Sequence, residues 1–386
     1  MQFIDGSILE GGGQILRNAT SLSALLGKPI TIQKIRQGRR PPGLKTQHRT
    51  GLELAARISS AHIVGVANGA ETIEFSPGEI IPGDYHADPQ TAGASALLLQ
   101  IALPLLLFGS KSSTLTLKGG TNATGAPQID YIQHVFLPFA KRHFGLTVEL
   151  NLRRRGYFPK GGGEIHVTVN PSHRLKAASV MERGSVTSIQ GIAHVAGLPS
   201  HLADKMRDSA IERLSRQGFV SDSIPIQIRG TRERNDNTVG GGSGIVLWAE
   251  LSGGGIIGLK LLVFAKLESN IDYSGGSAVG SKQKDAATVG SEAAEELIRG
   301  LDNGGVVDEY LQDQIVILMA LASPENSSEI QCGTGGLSLH TRRELMSDRT
   351  AIWVAEQLTN AKFNVSVEAG QTVIRCKGIG YSASTE

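Results

Sequence analysis

Apolar residues recur along this chain with two alternating periods. Over 14–26, 50–60, 92–107 and 129–144 they return at helical spacing, and the runs 29–35, 71–75, 113–117, 146–152 and 164–169 read as short strands. Glycines cluster at 11–13, 161–163, 240–242 and 253–255, which marks turns between packed elements. The pattern predicts repeated α+β units with helices on one side of small sheets. From about Gly184 the texture changes. Ser200 caps a predicted helix through Arg216, in which Leu202, Met206, Ala210 and Leu214 return every four residues. A polar loop at 229–238 and strands near 244–251 and 258–267 follow, so 184–285 reads as a separate α/β insert. The first texture resumes with helices at 286–300 and 309–321, then a strand, a turn, a helix containing His340, and terminal strands at 364–368 and 373–377. The expected organisation is an α+β fold, its large domain made of 1–183 and 286–386 and its small one of 184–285.

Composition narrows the class. A chain of 386 residues can bury a large core. Its formal charge is only +2, so any affinity for nucleic acid must come from local clustering. Two cysteines, Cys332 and Cys376, make no disulfide framework and suit a reducing compartment, with no disulfide-linked partner expected. The longest apolar stretch, 94–108, holds Gln100 and Pro104 and falls short of a membrane span, and the first residues do not read as a signal peptide. The expectation is a nuclear or cytoplasmic protein with no membrane partner.

The first fifty residues carry the sharpest chemistry. A glycine turn with one carboxylate, Glu10-Gly11-Gly12-Gly13-Gln14-Ile15-Leu16-Arg17, precedes a basic segment with Arg36, Arg39, Arg40, Lys45 and Arg49, and no acid stands between Glu10 and Glu53. Glycines admit an anion to backbone N–H groups, helix starts favour negative charge, and guanidinium forks fit phosphate oxygens. Either piece alone reads equally well as a tight turn or a solvated basic face. Their adjacency favours a phosphate site, with Glu10 as candidate metal ligand. His340 follows Gly333-Thr334-Gly335-Gly336, where a strand end can present an imidazole as nucleophile, base or ligand. Helical spacing puts Tyr310 and Gln314 on one face, where a ring can stack on a base and an amide can bond its edge, although an ordinary amphipathic helix start explains the same pattern. Arg153-Arg154-Arg155-Gly156-Tyr157-Phe158-Pro159-Lys160 joins bases to aromatics and a glycine turn, a candidate nucleic-acid contact. The junctions at 89–95 and 119–127 read as ligand loops or as capped turns.

Taken in order, these motifs resemble RNA 3′-terminal phosphate cyclases over nearly the whole chain. They are Asp5-Gly6 with 10–17, Gly38-Arg39 with Pro42-Gly43-Leu44, Gln47-His48, Gly119-Gly120-Thr121, Phe158-Pro159 with 161–163, 309–314, Leu339-His340-Thr341, and Thr350-Ala351-Ile352 with Ala355-Glu356-Gln357. The resemblance implies a large domain of βαβαββ-type units with a small α/β insert. It also implies ATP-dependent conversion of an RNA 3′-terminal phosphate to a 2′,3′-cyclic ester through a histidyl-AMP on His340. Arg17, Arg36 and Arg39 would neutralise phosphates with Mg or Mn held through Glu10, and Gln14 and Gln47 would orient phosphates or ribose. Tyr310 and Pro127 would flank adenine, with Gln100, Gln314 and Asp313 as polar neighbours. One departure is the separation of His340-Thr341-Arg342 from Thr350-Ala351-Ile352 by 343–349, seven residues beyond the family spacing. The alternatives are a non-catalytic cyclase-like ribosome-biogenesis factor that binds partners or RNA, and an enolpyruvyl-type transferase.

Overall fold

The computed structural model describes residues 1–8, 12–123, 125–219, 224–263, 285–337 and 350–382. It is an α+β fold in which one arrangement of strands and helices appears three times. The first unit runs β1 (Gln2–Asp5), α1 (Gly13–Leu26), β2 (Ile30–Gln33), α2 (Thr46–Ile58), β3 (His62–Val64), β4 (Ile73–Ser76), with sheet order β1-β2-β4-β3. β1 and β2 are parallel and β4 is antiparallel to both its neighbours. A helix crossover makes the parallel pair and a hairpin the antiparallel one, so each sheet keeps its helices on one face.

The second unit repeats the plan with β5 (Asp84–Ala87), α3 (Ser95–Leu107), β6 (Ser113–Gly119), a helix over 129–144, β7 (Thr147–Gly156) and β8 (Gly163–Asn170). That helix is built from α4 (Ile129–Tyr131), a π turn (Ile132–Phe136) and α5 (Leu137–Phe144). The third unit opens with β9 (Ser179–Val180) and is then interrupted by the insert: β10 (Val186–Ala196), α6 (His201–Arg216), β11 (Ile226–Arg232), β12 (Thr238–Val239), β13 (Gly242–Leu251), β14 (Ile256–Val263) and α7 (Ala286–Asp302). It resumes with α8 (Glu309–Leu321), β15 (Ser328–Gly333), α9 (Thr350–Leu358), β16 (Lys362–Glu368) and β17 (Gln371–Lys377), pairing in the order β9-β15-β17-β16. The polar loop expected at 229–238 is strand as far as Arg232, because β11 needs apolar packing on one face only and Ile226 and Ile228 supply it.

Helices from the three units meet in one core. α1 packs against α2, α3 and α9, and α8 against α9. α3 is buried nearly all round, which explains its long apolar run; among the described residues no helix is long and apolar enough to cross a membrane. A second core lies under the insert, where Ile245, Leu247, Ala249 and Leu251 of β13 meet α6 and α7. The alternate residues Val246 and Trp248 face the large domain instead, so this strand is covered on both sides. Val289, Ala293, Leu297 and Leu301 of α7 fill the second core.

Two buried polar clusters fasten the insert to the large domain. Asp308 caps α8, accepting from the N–H groups of Tyr310 (2.8 Å) and Leu311 (2.9 Å), from the Tyr131 hydroxyl (2.7 Å) and from Gly258 N–H of β14 (2.8 Å). Burial pushes its carboxyl up to about 6 against the pull of these four donors, so it is ionised at neutral pH. In the other cluster Arg155 forks onto both oxygens of Asp130 (2.7 Å each) and donates to Glu233 (2.6 Å), while the Tyr157 hydroxyl meets His194 Nδ1 (2.9 Å). Burial works against the charge of Asp130, but the guanidinium outweighs it and holds the carboxyl below its usual range.

Asp308→Ala removes the cap and strands the Tyr131 hydroxyl, and is expected to cost about 3 kcal/mol, read as a shift in the urea unfolding midpoint. His194 gives a pH signature. Burial, then the Arg155 charge, depress its pKa from 6.5 to about 3. The unfolded ring therefore takes a proton that the folded ring refuses, and stability from this site is full above pH 6.5 and lost as pH falls towards 3. The thermal midpoint should fall more steeply between about pH 7 and 5 in the wild type than in His194→Gln; equal slopes would place the titrating group elsewhere.

Candidate active site

The N-terminus of α1 and the first turn of α2 converge on one nook. Gly12 enters α1 in an extended conformation, the first turn holds no acid, and among the described residues no side chain caps its N–H groups. Gly13 is required by its neighbours: a Cβ there would lie 2.7 Å from His48 Nε2 and 3.1 Å from Arg17 Nη1. Arg17 stands one turn into α1. Burial pulls its guanidinium down to about 10 while the charge of Asp313 on α8 opposes the shift.

Gln47 and His48 project from the start of α2 and line a recess with Arg17 over Leu97 and Ile101. His48 Nδ1 accepts the Lys45 N–H (3.1 Å), so in the neutral ring the proton is on Nε2, the atom facing Gly13 and Arg17. Burial, then the charges of Arg17, Arg36 and Lys45, lower its pKa to about 3 and keep it neutral. Gln47 Oε1 accepts from Ala94 N–H (3.1 Å), which turns its amide N–H groups outward. Arg17, His48 Nε2–H, the Gln47 amide and the α1 N-terminus together offer donors only. Such a set suits an anion with several oxygens.

The basic segment divides into two roles. Arg36 is buried and its Nη1 donates to the carbonyls of Pro41 (3.1 Å) and Gly43 (2.8 Å), bracing the loop that carries the others. Arg39, Arg40 and Lys45 are exposed at its rim. On α8, Tyr310, Asp313 and Gln314 share a face. The Tyr310 hydroxyl donates to Glu296 of α7 (3.0 Å), and its ring meets Tyr131 edge-on at 6.1 Å. Gln314 donates to the Tyr310 carbonyl (2.9 Å), while its buried Oε1 has no hydrogen-bond partner among the described residues. Gln14 lies in the first turn of α1, Gln100 is half-buried on α3 between Leu97 and Ile101 of the recess, and Pro127 is half-buried ahead of the 129–144 helix.

Glu10, His340 and the segment 343–349 lie outside the described residues. Among the described residues no cluster of three or more His, Cys, Asp or Glu side chains gathers as a metal cage. Sequence reasoning gave no role to His48, although its place three residues after Lys45 at a helix start was a signal, and it missed Asp308, a capping residue one position before the Glu309 run. It offered Arg155 to nucleic acid, but two carboxylates hold that side chain in the interior.

Comparison with known proteins bears directly on this arrangement. The family model for RNA 3′-terminal phosphate cyclase matches residues 8–365. A protein of Pyrobaculum aerophilum named RNA 3′-terminal phosphate cyclase is 38% identical over 379 residues, covering 98% of this chain and 99% of its own. Proteins of the same name from Drosophila melanogaster, 37% identical over 98% of this chain and 96% of theirs, and from Methanosarcina barkeri, 38% identical over 95% and 97%, are similar at the same level. Matches of this extent span all three units and the insert, and the chain belongs to the RNA 3′-terminal phosphate cyclase family.

Proposed function

We propose that this chain is an ATP-dependent RNA 3′-terminal phosphate cyclase working through a covalent nucleotide on His340. The observation that carries the reading is the donor-only nook of Arg17, Gln47, His48 and the α1 N-terminus, whose Arg17 feels the charge of Asp313 on α8. A triphosphate would lie in the nook with its negative charge met by fixed donors that need no reorganisation. The buried Gln314 Oε1, unpartnered among the described residues, supports an adenine amino group nearby, with Tyr310 and Pro127 about the ring and Gln100 as a further polar neighbour. Gln14 and Gln47 would hold phosphate or ribose oxygens. Arg39 would meet phosphates at the rim, and Arg36 would act through the loop it braces.

In this scheme an imidazole nitrogen of His340 bonds to the α-phosphorus as the bond to pyrophosphate breaks. The AMP then moves to an oxygen of the RNA 3′-phosphate, which frees the histidine. The adjacent 2′-hydroxyl loses its proton, bonds to the activated phosphorus and expels AMP, leaving the cyclic ester. Asp313 fits a divalent cation beside the triphosphate, with Glu10 as the proposed protein ligand, and such an ion supplies neutralisation of phosphate charge. A nuclear or cytoplasmic location accords with this substrate.

Incubation with α-labelled ATP and Mg or Mn, followed by denaturing electrophoresis, tests the scheme. The wild type should retain label that acid releases and mild alkali does not, and His340→Ala should retain none. An unlabelled wild type would turn the reading to the non-catalytic relative. Gly13→Ala should slow adenylylation on the order of a hundredfold, because the new methyl group displaces His48 and Arg17 by about 1 Å, while circular dichroism stays unchanged. Arg17→Ala should lose roughly tenfold to a hundredfold in the same assay, and a rate within about twofold of wild type would return Arg17 to a packing role.

A further inference from the structure

The loop between β7 and β8 touches the nook by way of an intermediate segment. Gly161 takes φ +63, and a Cβ there would lie 2.4 Å from the Thr91 carbonyl oxygen and 2.7 Å from Ala92 Cα, so this loop is seated directly on 91–94. The same segment is held to the nook by Gln47, through its bond to Ala94 and its contact with Gly93. On the other side the loop meets the insert. Tyr157 N–H donates to the Val239 carbonyl (3.1 Å), Gly162 packs on Val239, and β12 adds to β7 as a short parallel strand. A continuous rim therefore runs from Arg17 and Gln47 over the 158–162 loop to Thr238 and Val239 of the insert.

The rim has a distinct chemistry. Phe158 is a large aromatic with 48% of its surface open to solvent. Lys160 is exposed two residues on in the same loop, Arg234 is exposed on the insert stretch that leads to Val239, and Lys160 has no carboxylate partner among the described residues. The acids nearby are spent: Glu233 is paired with Arg155, and Asp236 with Arg234. An aromatic face beside an unneutralised cation is the combination that holds single-stranded nucleic acid, by stacking a base and tracking phosphates.

We propose that this rim is the docking surface for the single-stranded RNA leading up to the terminal phosphate, with Phe158 stacking an upstream base and Lys160 contacting a backbone phosphate. This rests on the cyclase reading for the identity of the strand. The surface extends recognition beyond the end group, so affinity must grow with the length of the single strand.

Fluorescence anisotropy with labelled single-stranded RNAs carrying a 3′-phosphate, about three and about twelve nucleotides long, tests it. The wild type should bind the longer RNA more tightly. Phe158→Ala should weaken the longer RNA about tenfold and leave the shorter one unchanged, Phe158→Trp should restore it, and Lys160→Gln should flatten the salt dependence by about 0.7 in log–log slope. Phe3→Ala, which removes an exposed aromatic from the first sheet, should change neither. The rim assignment is overturned if the Phe158 and Lys160 variants bind the longer RNA within about twofold of wild type, or if the Phe3 variant weakens it equally. Labelling with ATP in parallel keeps the two readings separate, since failure to form covalent AMP defeats the catalytic scheme while the length contrast still decides the docking surface.

Discussion

The carboxylate of Asp308 is the constraint on which the arrangement of parts depends. It is a helix cap, the partner of a buried phenol and the acceptor for a strand of the insert, all through two oxygen atoms. Four donors converge from three stretches of chain distant in sequence, and in so dry a place each would be costly to leave unmet. Because α8 begins at this carboxylate, its position also sets where Tyr310, Asp313 and Gln314 stand relative to α1. The stability of the junction and the geometry of the candidate site are therefore one problem. Arg155 plays the matching part at the other contact, where the guanidinium locked on the buried Asp130 reaches across from β7 to the partly exposed Glu233 of the insert.

Much of the fold was legible because its elements obey simple periods. The helix over 309–321 and the strands near 164–169 and 373–377 follow their burial, and the apolar stretch 94–108, too short for a membrane span, forms α3 in the core. What failed to show was pairing across distance. β9 is two residues long and has no period to detect, and β11 hides in a polar run because one of its faces lines a cavity of about 310 Å³ with Arg229, Thr231 and Glu233. The position of α7 was equally obscure, since an apolar stripe states that a helix is buried without stating against which sheet.

The candidate site was legible as chemistry and illegible as division of labour. A run of bases near a glycine turn announces an anion, and the nook of donors at Arg17 agrees with that. Yet Arg36, Arg39 and Arg155 are the same residue type, and sequence does not distinguish a guanidinium spent on carbonyls from one at the surface or one locked between carboxylates. Burial makes that distinction. It also explains His48, whose neutral ring is a donor only because its other nitrogen is occupied by the Lys45 N–H.

The insert interrupts the third unit immediately after its first strand, and this has a consequence for how the chain assembles. Ser179 and Val180 pair with Glu329 and Ile330, so roughly 150 residues must be gathered before that pair can close, and a closure of such length is slow compared with the local pairings of the first two units. During synthesis the first two units can form as they emerge, but the face of α1 that receives α9 stays uncovered until the end of the chain arrives. The last contacts made are then those that join the two ends, Lys28 to the Leu358 carbonyl and the Tyr381 hydroxyl to that of Leu25. Until they form, the apolar surface of α1 is the place where a nascent chain is open to aggregation or to a chaperone, and truncation after α8 would leave it open permanently.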